Sequence, residues 1–216
     1  MKFNKIDINH WERKEVFHHF FNQQTSFSIT KNIDITELYN TSKEKGYKFY
    51  PAFIFLITHI ANSNGHFRMS FNSEGALGYW EKVVPMYTIF DKPSTLFSAL
   101  STNTDTGFQN FYVNYIADTE KYSNTGKMFP QTVLPKNIIN ISMIPWTSFT
   151  GFTLNVNNSP NYLLPIVTAG EFIENNKSIY LPLSLQVHHA VCDGYHAALF
   201  MNKFQTLANH PQELLK

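Results

Sequence analysis

Gln186-Val187-His188-His189-Ala190-Val191-Cys192-Asp193-Gly194-Tyr195-His196 joins two segments of opposite character. Upstream, residues 178–187 read as a long strand, entered from Phe172 through a hairpin turn at Asn175-Asn176-Lys177. Downstream, residues 194–208 carry Leu199, Phe200, Phe204 and Leu207 at helical spacing, so a helix should bury that stripe. Three histidines, one aspartate and one cysteine therefore sit within nine residues at a strand-to-helix junction. Loops at such junctions are where a rigid scaffold often places reactive groups.

Working outward, residues 11–21 show a helical stripe of Val16, Phe17, Phe20 and Phe21. Residues 26–33 alternate as a strand, and Asp34 with Glu37 forms a capping-box pattern opening a helix that should stop near Gly46. Pro51 stands where a first helical turn tolerates it. Phe53, Ile54, Leu56, Ile57 and Ile60 follow, apolar nearly all round, which predicts a helix buried between layers. Short strands are expected at 67–71, 76–80, 83–90, 96–101, 138–144, 152–156 and 164–168, with a helix through Phe108, Phe111, Tyr112, Tyr115 and Ile116. Polar loops at 102–105 and 157–161 are too short to separate domains, so residues 1–216 read as a single domain. Strands outnumber helices without regular alternation. The expected fold class is α/β, a two-layer sandwich with a mixed β-sheet and helices packed on one face.

Composition narrows the function. Of 216 residues only 15% are charged, against about a quarter in an average soluble domain, while 16% are aromatic, with twenty Phe and eleven Tyr. So little charge over so much apolar surface predicts subunit interfaces. Seventeen basic residues against sixteen acidic ones leave a net charge of +1, without the basic stripe of a nucleic-acid binder or a polybasic membrane patch. No apolar run approaches the roughly 20 residues a bilayer requires, and MKFNKIDINHW lacks a signal-peptide core. The expectation is a cytoplasmic protein with no nucleic-acid or membrane partner. Its lone Cys192 forms no internal disulfide. The nine glycines form no dinucleotide fingerprint and no P-loop, and neither HExxH nor GxSxG occurs.

Three readings compete for the histidine-rich junction. A metal held by His188, His189, Asp193 and His196 or Cys192 conflicts with strand geometry, because consecutive side chains point to opposite faces; no metal is expected. Cys192 as a nucleophile lacks an orienting third group, and a small buried cysteine accounts for it more simply. A histidine acting as general base, on a turn shaped by Asp193, stands level on physics alone with a histidine that is merely a satisfied core residue.

The same residues carry a family resemblance. QVHHAVCDGYH is similar to the QxHHxxxDG(F/Y)H signature of chloramphenicol acetyltransferases, with every fixed position present. The shorter HHxxxDG core also occurs in peptide-synthetase condensation domains. YKFYPA at 47–52, TLFSALS at 95–101 and NISMIPW at 140–146 extend the likeness along essentially the whole chain.

The resemblance implies acetyl transfer from acetyl-CoA, a co-substrate rather than a permanently bound cofactor, to the 3-hydroxyl of chloramphenicol. His189 would be the base and Ser142 the donor to the oxyanion. Asp193 would pair with Arg13 to hold the histidine loop, and Thr168 would hold an ordered water. By the same likeness the other ring nitrogen of His189 donates to that residue's own carbonyl, fixing the tautomer. Phe20, Phe27, Phe97, Phe129, Phe152 and Leu154 would line the drug pocket, although Phe20 stands where relatives carry Tyr. Trp146 and Lys48 would meet CoA. The family is a homotrimer with active sites between subunits. The alternatives are a related CoA-dependent O-acyltransferase acting on another hydroxyl acceptor, and a ligand-binding protein without catalysis.

Overall fold

The computed structural model describes residues 2–156 and 161–216, so most of the polar loop expected at 157–161 lies outside the described residues. In chain order the elements are β1 (Phe3–Lys5), α1 (Lys14–Asn22), β2 (Ser26–Asp34), α2 (Thr36–Glu44), α3 (Phe49–Asn62), a 3-10 turn (Gly65–Arg68), β3 (Met69–Phe71), β4 (Leu77–Trp80), β5 (Val84–Asp91), β6 (Leu96–Ser101), α4 (Phe108–Tyr122), β7 (Ile138–Met143), β8 (Ile166–Ala169), β9 (Ile173–Asn175), β10 (Ser178–His188), α5 (Gly194–Asn209) and a closing 3-10 turn (Pro211–Glu213). The main sheet runs β2-β10-β8-β7-β5-β6, with β9 also paired to β10. Strands β5, β7 and β8 are mutually parallel and the other pairs are antiparallel, so the sheet is mixed as expected.

Strand alternation divides the sheet into two faces. In β10, Leu181, Leu183, Leu185 and Val187 enter the core, while Ser184, Gln186 and His188 face the other way. Register carries the division across: Ile139 and Ile141 of β7, Val167 and Ala169 of β8 and Tyr87 of β5 join the same core. Helices α2, α3 and α5 cover that face, with α2 on β10, α3 on β5 and β7, and α5 on β2. Helix α3 is buried between them from Pro51 through Thr58 and at Ile60 and Ala61, with only His59 of that run exposed. Among the described residues no helix is long and apolar enough to cross a membrane.

The structure corrects three local expectations. Asp34 and Glu37 form no capping box: Asp34 Oδ1 accepts from Thr36 N at 2.9 Å and Thr36 Oγ1 at 2.6 Å, and the α2 cap residue is Ile35. A short Asp side chain bonding its own backbone two residues on is a local alternative to the cap. The expected strand at 67–71 is half 3-10 turn, nucleated by Asn64 Oδ1 accepting from His66 N at 3.0 Å. The expected strand at 152–156 joins no ladder. Its backbone is held by side chains instead: Phe152 N donates to Thr30 Oγ1 and Leu154 N to Gln186 Oε1, while Ser184 Oγ and Gln186 Nε2 donate to the carbonyls of Phe152 and Leu154. Alternation alone does not reveal that those side chains replace a neighbouring strand.

The expected strands near 67–71 and 76–80 form a separate small sheet, β1-β4-β3, of which β1 was not expected from the sequence. It depends on Gly78, where any Cβ would sit 2.3 Å from the Asn4 carbonyl. The hairpin expected at Asn175-Asn176-Lys177 is present, with Asn176 in the left-handed region at φ 56°.

Candidate active site

Strand β10 ends at His188, paired with Ser26 of β2, and α5 begins at Gly194. Between them the backbone is almost completely accounted for. His188 O accepts from Val191 N at 3.1 Å and Cys192 N at 3.0 Å, and His189 N donates to Thr25 O at 2.8 Å. Ala190 N donates to His188 Nδ1 at 3.1 Å. Arg13, just ahead of α1, supplies the next two partners: Nη2 donates to His189 O at 3.3 Å and Nε to Ala190 O at 3.2 Å. Buried loop carbonyls need such partners, since each one left unmade costs about 1–3 kcal/mol.

Arg13 also ties the loop to the helix. Its Nη1 donates to Asp193 Oδ2 at 2.9 Å. The other carboxylate oxygen caps α5, accepting from Tyr195 N at 3.1 Å and His196 N at 3.4 Å. His196 Nδ1 lies 2.8 Å from that oxygen. Burial works to raise the Asp193 carboxyl, but the Arg13 and His196 hydrogen bonds outweigh it and hold the group at about 2. Arg13 and Asp193, chosen by resemblance, are thus brought together, 180 residues apart in the chain.

The two histidines part company, as strand geometry requires. His188 lies on the sheet face opposite α2, α3 and α5, accepts from the turn with Nδ1, and contacts Phe21 of α1 at 5.9 Å between ring centroids. Burial and the neighbouring His189 pull its pKa down. His189 lies flat on Phe20, with ring centroids 3.7 Å apart and planes within 3°, and meets the edge of Phe27 at 5.1 Å. Consecutive phenylalanines of α1 therefore meet consecutive histidines. The expected bond from the ring to the residue's own carbonyl is not formed: that carbonyl accepts from Arg13, Nδ1 is buried without a partner, and the stack on Phe20 orients the imidazole. Nε2 is left as the nitrogen through which a proton can move.

Cys192 is buried, its Sγ donates to His66 O at 3.6 Å, and burial pushes the thiol up to about 12. A thiol so unwilling to ionise is no nucleophile at neutral pH. Among the described residues no three His, Cys, Asp or Glu side chains gather as a metal-ligand set.

A second group of the expected residues lies elsewhere. Ser142 of β7 stands in register with Thr168 of β8, and their hydroxyl oxygens are 3.1 Å apart. The row continues through Ser184 of β10 to Thr30 of β2, four hydroxyl side chains abreast on the face away from the helices. Ser142 opens into a cavity of about 1050 Å³ walled by Phe97, Phe129, Trp146 and Leu154, together with Phe90 and Met128. These six side chains are 44–62% exposed. Trp146 packs edge-on against Phe90 at 4.6 Å. The cavity's few polar wall residues include Tyr50, Thr88 and Asn140; burial raises the Tyr50 phenol to about 12 against hydrogen bonds from Thr88.

His189, Phe20 and Phe27 are not on this wall. Neither is Phe152, whose ring packs against Phe149 at 5.4 Å above Thr30. Lys48 is exposed at the start of α3, its backbone N donating to Tyr112 Oη at 3.3 Å, two residues short of Tyr50 on the wall. Reading the sequence missed Tyr50, Phe90 and Met128 as wall residues. It also missed His66, which touches the histidine loop from 125 residues away. Tyr50 lies inside the quoted YKFYPA motif; nothing local marks His66.

Comparison with known proteins places this geometry in a family. The chloramphenicol acetyltransferase family model matches residues 1–205. A chloramphenicol acetyltransferase of Staphylococcus aureus is 60% identical over 215 residues, covering 100% of both chains. One from Clostridium butyricum is 46% identical, covering 100% of this chain and 99% of its own. A solved chloramphenicol acetyltransferase structure superposes with a TM-score of 0.86 at 22% identity, over 96% of this chain and 100% of the other. With the signature loop, the fold and these relatives in agreement, the chain belongs to the chloramphenicol acetyltransferase family and is an acyltransferase.

Proposed function

We propose that this chain, as one domain over residues 1–216, transfers the acetyl group of acetyl-CoA to the 3-hydroxyl of chloramphenicol in the cytoplasm. The observation that carries the mechanism is the His189 imidazole, stacked on Phe20 at 3.7 Å above a loop whose carbonyls are held by Arg13. A base held this rigidly keeps one nitrogen trained on one proton, and general-base help of this kind is worth roughly a hundred- to ten-thousand-fold.

His189 Nε2 takes the hydroxyl proton as the substrate oxygen attacks the thioester carbonyl. The carbonyl π electrons move onto its oxygen, and the Ser142 hydroxyl donates a hydrogen bond to the resulting oxyanion, a contribution of roughly two to three powers of ten. When the intermediate collapses, the C–S bond breaks and the CoA sulfur leaves, taking the proton from the imidazolium. The products are free CoA and the 3-acetyl ester.

The cavity supports the acceptor. Chloramphenicol is uncharged and aromatic, and a wall of Phe97, Phe129 and Leu154 with few polar groups suits such a molecule. Trp146 on the same wall, and exposed Lys48, are the groups for CoA. Phe20 and Phe27 bound the base and Phe152 backs the sheet face beneath; Thr168 supports Ser142.

His189 and the Ser142 cavity are separate within one chain. A homotrimer in which the loop of one subunit faces the cavity of the next brings them together and covers the exposed Phe and Trp side chains. Light scattering should return about three times the 25.0 kDa chain mass, and a monomer would overturn the arrangement.

The function is tested by thiol release from acetyl-CoA with and without chloramphenicol, on parent and His189→Ala together. Release that requires the drug and vanishes in the variant is expected. Silence of the parent with the drug would pass the reading to another hydroxyl acceptor.

A further inference from the structure

We propose that His66 is a positioning residue for the loop that carries His189, a second clamp beside Arg13; the inference rests on His189 being the base. Three successive loop carbonyls, those of His189, Ala190 and Val191, accept from side chains of other elements. Arg13 takes the first two at 3.3 and 3.2 Å, and His66 Nδ1 takes the third at 2.8 Å. A carbonyl only accepts, so His66 carries its proton on Nδ1. Val191 is fully buried, and no water can replace that donor cheaply.

The contact is reciprocated and braced. Cys192 Sγ donates back to His66 O at 3.6 Å. The His66 ring lies 4.0 Å from that of His196, which is itself 2.8 Å from Asp193. The turn beneath is set by Asn64 Oδ1, which accepts from His66 N at 3.0 Å. Burial pulls the His66 pKa down, reinforced by His196 and Arg13 and opposed by the Val191 carbonyl and Asp193, which favours the neutral donor at working pH. Arg13 thus holds the loop on the α1 side, while His66 holds it on the side of the 3-10 turn. With one side free, the backbone two residues from the base can shift, and a displacement of about 1 Å at a reacting group costs on the order of a hundredfold.

The test compares His66→Asn, whose amide N–H falls near the position of Nδ1, with His66→Leu, of similar volume but without a donor. His66→Ala and His189→Ala are run alongside. For each, kcat, the KM for acetyl-CoA and for chloramphenicol, and the folded fraction are measured. His66→Leu and His66→Ala should lose about tenfold in kcat per folded chain, with both KM values within about twofold, and His66→Asn should recover most of the loss. If His66→Ala does not fold, the Asn and Leu pair decides alone, because the two differ chiefly in the donor. Parental kcat in His66→Leu, or Asn no better than Leu, overturns the proposal. An active His189→Ala removes the base and this inference with it, whereas an inactive His189→Ala beside a fully active His66→Leu sinks this inference only.

Discussion

The histidine loop and the Ser142 cavity are built on opposite plans. In the loop, residues 188–193 spend nearly every backbone group on a partner, drawn from Thr25, Arg13, His66 and the cap of α5. The cavity wall has few polar contacts and large apolar side chains left about half exposed. The difference teaches which half needs precision. On the proposed mechanism the His189 imidazole works only within hydrogen-bond reach of its target, which a support made of directional bonds suits. A wall for an uncharged aromatic molecule relies on burying area, which is non-directional and tolerant of shape.

The sharpest break of that comparison is between His189 and Ser142. His189→Ala should lower kcat about a thousandfold and Ser142→Ala about a hundredfold, both with little change in KM. Mixed trimers refolded from the two variants should regain activity that neither has alone, because some sites would pair an intact loop with an intact cavity. If mixing restores nothing, the two halves do not meet between subunits.

Arg13→Ala probes the loop's bonds with both reactive groups in place. It removes three hydrogen bonds and unpairs the Asp193 carboxylate, so kcat should fall by roughly ten- to a hundredfold and the thermal midpoint by about 5 °C. A midpoint shift without any loss of kcat would show that the loop keeps its shape without Arg13.

A smaller effect concerns acid. The Asp193 carboxyl is held below its ordinary value of 3.8, at about 2. Its stabilising contribution is therefore fully present above pH 3.8 and is lost as pH falls towards 2. The midpoint difference between parent and Asp193→Asn should stay constant from pH 7 to about 4 and shrink below that; a difference that fades between pH 7 and 5 would assign the titration to another group. The smallest effect is at Cys192, whose buried thiol should resist alkylation at pH 8 in the native state and react only on unfolding.

Much of this was readable in the chain. Apolar residues at helical spacing placed α3 and α5, and the mixed sheet followed from strands that outnumber helices without alternating with them. QVHHAVCDGYH marked the loop through its likeness to the QxHHxxxDG(F/Y)H signature, since physics alone left a base and a satisfied core histidine level. Two of the misses share one cause. Residues 152–156 look like a strand by pattern, yet whether they join a ladder depends on what lies beside them, and Thr30, Ser184 and Gln186 lie there. His66 sits in an unremarkable turn and becomes relevant only because folding sets it against Val191.

Local periodicity and short motifs, whose physics acts over a few residues, determined the elements, the face each strand buries and the identity of the histidine loop. Only the tertiary structure decided which distant side chains hold that loop, which ring orients His189, and that His189 and the Ser142 cavity lie apart in one chain. Contacts between residues 125 to 180 positions apart are set by packing of the whole core, and no local pattern encodes them.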